Sequence, residues 1–210
     1  MQLLGRLEIK SEQKIKEFLD IEHVGRIASI DKDGYPQIIP MNFVFLNDAI
    51  YLHSHTKGEK LDNIRRNHKV GFEVDRELEF LPSYFEDPND ASLADTLYIS
   101  VVIKGTASVI FEKKEMTLAL NGLMRKYQPE GNYEPLRPEM DVLNEVAIIK
   151  IIPNSIRGKY KIGQNLRKEE RIDLAKKIND RNTPSAKETL KIMGFEITKE
   201  GLRMVDEPVW

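Results

Sequence analysis

The spacing of apolar residues changes several times between Ser11 and Asp75, and each change marks an element. Ile15, Phe18 and Leu19 recur at helical spacing behind Ser11, which serves as an N-cap. "GRIASI" then runs as a strand into "DKDGYP", a turn carried by Asp33-Gly34. "QIIPMNFVFL" follows as a second strand, "NDA" as another tight turn and "IYLHSH" as a third strand. This is a meander of antiparallel strands joined by short hairpins. In "TKGEKLDNIRRN", Thr56 and Glu59 have the spacing of a capping box, and Leu61 and Ile64 form the apolar face of the helix behind it. "KVGFEVD" is a fourth strand.

The second half follows the same rules with longer elements. Residues 76–95 are rich in acids, hold two prolines and show little periodicity, so they are expected as a loop. "TLYISVVIKGTASVIF" is a long β-branched strand with a bend expected at Gly105. "KKEMTLALNGLMRKY" is a helix, and "QPEGNYEPLRPEM", with three prolines, is a loop. "EVAIIKIIP" is the last strand, with Pro153 as its stop. Beyond it the chain turns basic and polar. "EERIDLAKKIND" is an amphipathic helix. "TPSAKETLKIMG" is a second one, with Thr183 as N-cap, Pro184 at the first helical position and Gly194 as terminator. About six strands with few helices, followed by a helical tail, predict a mainly β (α+β) chain. Residues 1–153 would form a six-stranded antiparallel barrel domain with peripheral helices, and 154–210 a basic segment with a helical C-terminal appendage.

The chain of 210 residues has no internal repeat, and its net charge of −2 gives no global field toward nucleic acid or acidic membrane. Cysteine is absent, which removes disulfides, thiolate zinc sites and cysteine nucleophiles. The opening "MQLLGRLEIKSEQ" has no long apolar run, so no signal peptide is expected. No apolar stretch approaches the ~20 residues of a membrane span. A cytoplasmic protein is expected.

The densest candidate chemistry is "YLHSHTKGEK", Tyr51 to Lys60. His53 and His55 share one strand face at i and i+2, but zinc needs a third protein ligand, and neither His23 nor His68 has a partner in a short motif. No metal site is expected. There is no Gly-x-Ser-x-Gly elbow for a serine triad. Two readings stay open here. In one, the histidines are a polar, solvated strand end. In the other, the strand-to-helix junction binds a phosphate. Helix N-termini offer unpaired N–H groups and a positive dipole end. Ser54 and Thr56 supply hydroxyl donors, Gly58 allows close backbone approach and Lys60 reaches back from the first turn, with Lys57 or Arg65 assisting.

These pieces carry a resemblance. "GRIAS", the Asp-Gly-Tyr-Pro hairpin, "IIPMNF", "YLHSH", "GEKLDNI" and "RRNHKVGFEVD", with "YISVVIKGTASVI" later, resemble in order and spacing the FMN-binding split-barrel family. That family is related to pyridoxamine 5'-phosphate oxidase, and the nitroimidazole-reductase-like branch is the nearer match. The resemblance covers about Ile9 to Ile152. It implies a split β-barrel homodimer with FMN at the subunit interface. It implies that Ile39, Pro40, Met41 and Asn42 line the flavin ring, with backbone groups near Met41 and Asn42 stabilising the reduced ring. His53, Ser54, His55 and Thr56 would meet the ribityl and phosphate, Lys60 would bind the phosphate, and Ser100 would face the flavin from the partner subunit. Two departures stand out. The arginine that the oxidases carry in the strand matching "IIPMNF" is absent, and Glu59 stands where they have an arginine beside Lys60. The C-terminal substrate motif of the oxidases is also missing. True pyridoxamine phosphate oxidation is therefore not expected.

The resemblance implies a flavin-dependent oxidoreductase acting on a small molecule, with NAD(P)H as donor and no catalytic side chain assigned beyond a proton relay at His53. The alternative is a flavin-binding transcription regulator or a flavin-binding protein without turnover. Relatives that hold deazaflavin or haem are also covered. "GKYKIGQNLRKEERIDLAKKI" resembles the Lys-x-Ser-Gln-Asn segment and helix of regulator-like relatives, with Gly163 in place of the serine. Arg157, Lys159, Lys161, Arg167 and Lys168 are expected as a solvated basic stretch rather than a nucleic-acid patch. Glu73 and Asp75 are expected to be solvated, "YFEDPNDASLAD" a flap, Tyr35 and Tyr98 hairpin or core residues, and Trp210 packed on a neighbour.

Overall fold

The computed structural model describes residues 5–206, so Trp210 lies outside the described residues. The strands are β1 (Glu8–Ile9), β2 (Val24–Ile30), β3 (Pro36–Leu46), β4 (Ala49–His55), β5 (Lys69–Leu81), β6 (Asp95–Ile110), β7 (Val146–Lys161), β8 (Phe195–Thr198) and β9 (Gly201–Met204). The α-helices are α1 (Glu12–Ile21), α2 (Glu59–Arg66), α3 (Lys113–Tyr127), α4 (Lys168–Arg181) and α5 (Ala186–Ile192). The large sheet has the order β1-β7-β4-β3-β2-β5-β6, and β6 also pairs with β7, so six strands close into a ring. The pairings of β2 with β3 and β5, and of β4 with β3 and β7, are antiparallel. This is the mainly β, six-stranded architecture that the pattern predicts and the split barrel that the resemblance implies, with peripheral helices and a C-terminal appendage.

By internal contacts the chain divides into two compact units. The first comprises Gln13–Val74 and Val101–Arg157. Its hairpins follow from turn chemistry. Gly34 takes a φ of 90°, and the Asp31 carboxylate accepts hydrogen bonds from the N–H groups of Asp33 (2.9 Å) and Tyr35 (2.8 Å). Asn47 and Asp48 have φ values of 50° and 57°, the two positive angles of a type I′ turn whose twist suits adjoining strands. Phe43, Ile50, Tyr51, Leu52, Phe72 and Ile148 are buried in its core. Each such side chain contributes roughly 1.5–3 kcal/mol when removed from water. Gly105 marks a close approach of β6 to β7: a Cβ there would lie 2.5 Å from Ile151 Cγ2 and 2.9 Å from the Ile152 carbonyl oxygen.

The second unit comprises the residues up to Glu12, Asp75–Ser100 and those from Gly158 on. Here β1 pairs with the end of β7, Ile9 opposite Gly158. The polar anchor of the unit is Glu79 on β5, a buried carboxylate. It accepts hydrogen bonds from Thr183 Oγ1 (2.7 Å) and Ser185 Oγ (2.8 Å) and an ion pair from Arg181 (3.1 Å), all at the junction of α4 and α5.

Five boundaries differ from the sequence expectation. β5 continues to Leu81 where a loop was expected, because the acid that broke the apolar alternation, Glu79, is buried against its own set of donors. β7 runs past Pro153 to Lys161. Its pairing with β4 ends at Ile151 and its pairing with β1 begins at Gly158, so the missing proline N–H falls between the two. α2 starts at Glu59 with Gly58 as N-cap, so the Thr56–Glu59 capping box does not form. α5 starts at Ala186 with Ser185 at the N-cap position, because the Thr183 hydroxyl is used by Glu79. After Gly194 the appendage adds an antiparallel hairpin, β8–β9, to its helices.

Candidate functional site

The site begins where β3 changes partners. From Pro36 to Asn42, β3 pairs with β2; from Phe43 to Leu46, it pairs with β4, whose paired residues are Ala49–Leu52. β4 in turn carries on to His55 while pairing with β7, with His53 opposite Ile148, Ser54 opposite Ala147 and His55 opposite Val146. The β3–β4 ladder thus opens into a fork just past the Phe43–Leu52 rung. Ile39, Pro40, Met41 and Asn42 lie on one prong, and His53, Ser54 and His55 on the other.

The backbone direction along the β3 prong follows from Phe43. Its N–H donates to the Tyr127 hydroxyl, whose single proton is shared between the His23 carbonyl next to β2, the nearer acceptor, and the Phe43 carbonyl. Phe43 therefore points its backbone groups to the β2 side. Alternation along an antiparallel strand sends those of Met41 and Ile39 the same way, and those of Asn42 and Pro40 to the opposite edge, inside the fork. Pro40 lacks an N–H and loses no ladder bond in that position. Among the described residues, no strand pairs with this edge of β3 between Pro36 and Asn42.

The other prong ends at the start of α2. Gly58 adopts φ 141° and ψ 155°, a conformation suited to glycine, and a Cβ there would meet nothing within 4 Å. No side chain caps the helix. Its first carbonyl partner is used by Leu61 and Asp62, which both bond to the Gly58 oxygen. The N–H groups of Glu59 and Lys60 are left directed out of the helix end, as in any uncapped first turn. Ser54 and Thr56 are half-buried, and their hydroxyls have no partner among the described residues. The Lys60 ammonium likewise has none, and burial alone pushes its pKa below that of an ordinary lysine. His53 and His55 are exposed, and His55 Nδ1 accepts from the Lys57 N–H at 3.3 Å.

A polar network fixes this helix end against the β2–β3 hairpin. Gln37 Nε2 donates to Glu59 at 2.6 Å, and buried Asn63 donates to Gln37 Oε1 (3.2 Å) and Ser29 Oγ (3.4 Å). Arg66 closes it by donating to Asn63 Oδ1 at 2.6 Å. Glu59, the residue that departs from the oxidase pattern, is thus a positioning residue for the junction. The sequence reading passed over Tyr127, Gln37 and Asn63. A signal was present for Asn63, a polar residue between Leu61 and Ile64 on the apolar face of α2.

Taken together, the fork and the helix end offer an unpaired strand edge next to an unpaired cation, two hydroxyls and free N–H groups. That donor set suits a ligand with a planar polar edge and a phosphate, so the residues fit a flavin nucleotide. Ser100 lies half-buried on β6, in the second unit. In that unit Lys161 pairs with Asp95, Arg167 pairs with Glu170, and the Lys159 ammonium lies 5.1 Å from the centre of the Tyr98 ring. Much of the basic stretch is therefore taken up by local partners.

The profile of the family described as pyridoxamine 5'-phosphate oxidase matches residues 11–160. A search of curated proteins finds no match. Among solved structures, a candidate 5-nitroimidazole antibiotic resistance protein from Bacteroides thetaiotaomicron is 22% identical with a TM-score of 0.62, over 73% of this chain and 86% of that one. The flavocytochrome Anf3 from Azotobacter vinelandii is 18% identical with a TM-score of 0.67, over 82% and 77%. A FAD- and haem-binding protein from Mycobacterium smegmatis is 19% identical with a TM-score of 0.63, over 80% and 79%. At these identities the likeness is one of fold.

Proposed function

The chain belongs to the pyridoxamine 5'-phosphate oxidase family, and from that premise we propose that it binds a flavin through its FMN moiety, with the phosphate at the β4–α2 junction. The observation that carries this reading is Lys60, a half-buried ammonium without a counter-charge beside an uncapped helix end. A buried charge is costly until it is paired. A phosphate at this point pairs it and takes up the orphan N–H groups of α2. Ser54 and Thr56 add hydroxyl donors. The free edge of β3 offers the Asn42 N–H and carbonyl and the Pro40 carbonyl to the polar edge of the ring.

When bound, the flavin supplies two-electron redox chemistry, and the protein supplies binding, orientation and electrostatics. Asn42 stabilises negative charge next to it, and exposed His53, at the mouth of the fork, relays a proton. The reaction is oxidoreduction of a small molecule, with NAD(P)H as donor. The chain works as a homodimer. On the outer face of β2 and β3, Val24, Ile30 and Ile38 are exposed, Ile38 by 62%, beside Tyr35 at 70%. An apolar patch of this kind calls for a partner surface, and a second copy places its own fork next to this one.

The test is the visible spectrum of the purified protein and its titration with FMN. A flavin band that is present or restored by FMN, with affinity reduced more than about tenfold by Lys60→Ala, supports the reading. Protein that takes up no flavin overturns it. Steady NAD(P)H oxidation with an added acceptor separates turnover from flavin binding alone.

A further inference from the structure

Thr56, at the phosphate end of the proposed flavin site, also lines a separate cavity of about 210 Å³. Its floor is the edge of the core, with Met116 and Leu143, and its polar lining is Arg65, Lys113 and Asn144. Phe111 stands at the cavity, 74% exposed. No carboxylate lines it. In this it differs from the larger cavity of the second unit, about 400 Å³, which is lined by Glu86, Asp95, Glu170 and Asp173 and is unsuited to an anion.

We infer that this cavity receives the adenylyl half of a flavin, so that the physiological cofactor is FAD rather than FMN; the inference rests on the flavin reading of the β4–α2 junction. Three features support it. A chain of phosphates leaving the junction at Thr56 meets Lys113, whose ammonium has no partner among the described residues, and Arg65, which pairs with Asp62 at 2.9 Å. A ring as exposed as that of Phe111 is a stacking platform for a base, and stacking of this kind is insensitive to what else the base does. The Asn144 amide, also without a partner among the described residues, presents one donor and one acceptor. That is the complement of the adenine edge, with its amino group and ring nitrogen. The cavity is smaller than the roughly 300–1,000 Å³ of sites for whole drug-sized ligands, and its size suits a single heterocyclic base.

The experiment has two readouts. The flavin released on denaturing the purified protein is identified by chromatography, and the flavin-free protein is titrated with FMN and with FAD. The expected result is release of FAD and an affinity for FAD at least about tenfold above that for FMN. Phe111→Ala and Asn144→Ala should each remove most of that preference and leave FMN affinity unchanged; both residues lie outside the proposed FMN contacts. FMN bound as tightly as FAD, or a loss from Phe111→Ala that is equal for both, overturns the inference and leaves the flavin reading standing. Binding of neither flavin overturns both.

Discussion

The Tyr127 hydroxyl bonds both backbone groups of Phe43, accepting from the N–H at 2.9 Å and lying 3.0 Å from the carbonyl. It takes over where the β2–β3 ladder ends, and so lets β3 pass from one partner strand to the other. Burial pushes the Tyr127 pKa up, so the hydroxyl keeps its proton through neutral pH. Tyr127→Phe leaves the Phe43 N–H without an acceptor in a half-buried site, at a cost of about 1–3 kcal/mol. Urea unfolding should show that loss, and hydrogen exchange should show faster exchange at the Phe43 amide. Wild-type stability with unchanged exchange would mean that water or a shifted strand replaces the hydroxyl, and that Tyr127 does not hold the fork.

Glu79 plays the equivalent part in the second unit. Glu79 is 3% exposed, and its carboxylate serves Thr183, Ser185 and Arg181 together. Glu79→Ala leaves the Arg181 guanidinium without its carboxylate partner, although that group keeps its bond to the Phe80 carbonyl. Arg181 is about one-third exposed, so the full penalty for a buried broken pair does not apply, and a loss of about 2–3 kcal/mol is expected. Glu79→Gln retains one acceptor oxygen and should lose less. Limited proteolysis should cut first between α4 and α5 in the alanine variant; resistance equal to wild type would show that the junction is held by apolar packing alone.

The meander from β2 to α2 was legible because its signals are local. Asp33-Gly34 and Asn47-Asp48 set their turns, and period-two alternation set the strands between them. Glu79 and Pro153 concealed the rest. Each breaks a local strand pattern for a reason found only in distant partners: the α4–α5 junction for Glu79, and a change of neighbouring strand for Pro153. Thr56 and Thr183 show the same effect at helix starts. Each is placed as a cap should be, but the backbone freedom of Gly58 in one case and the acceptor on Glu79 in the other moved the helix start two residues along. The candidate site was legible as residues and not as a fork, because no short motif records that β3 changes partner at Phe43.

Lys60 gives the phosphate site a pH dependence. Only the protonated amine attracts phosphate, and burial has lowered its pKa from the ordinary 10.5. Flavin affinity should therefore be highest below that lowered pKa and decline as pH rises through it, earlier than an exposed lysine would allow. Bound phosphate favours the ammonium and raises the pKa again, so binding takes up protons in the interval. Measuring FMN affinity from about pH 7 upward keeps the phosphate fully ionised, with its second pKa near 6. Lys60→Arg, which stays charged, should flatten the profile. A wild-type profile as flat as that of the arginine variant would remove Lys60 from the phosphate site.

Lys126 gives stability a slope of its own. Its ammonium donates to the Leu19 carbonyl at 2.8 Å and lies 3.7 Å from the centre of the Phe43 ring. Burial lowers its pKa to about 8, against the opposing pull of Asp20 and Glu22. The folded-state pKa lies below the unfolded value of 10.5, so in the window between them the unfolded chain holds a proton that the folded chain has released. Stability therefore rises with pH from about 8 upward and is level below it. The amine is partly exposed, so the gain is reduced by solvent to about 1–2 kcal/mol across the window. Tyr51 and Tyr127, whose raised pKa values work in the opposite sense, titrate above the ordinary tyrosine value of 10.0, but Lys60, whose pKa burial also lowers, works in the same sense, so the Lys126 share is the difference in slope between wild type and Lys126→Met in thermal unfolding between about pH 7.5 and 9.5. Lys126→Met keeps the packing on Phe43 and should remove most of the rise, leaving the smaller share of Lys60. At pH 7 it should lie within about 1 kcal/mol of wild type, since the lost cation–π contact and the lost hydrogen bond offset the relieved desolvation. A methionine variant that keeps the wild-type slope would assign the effect to another group.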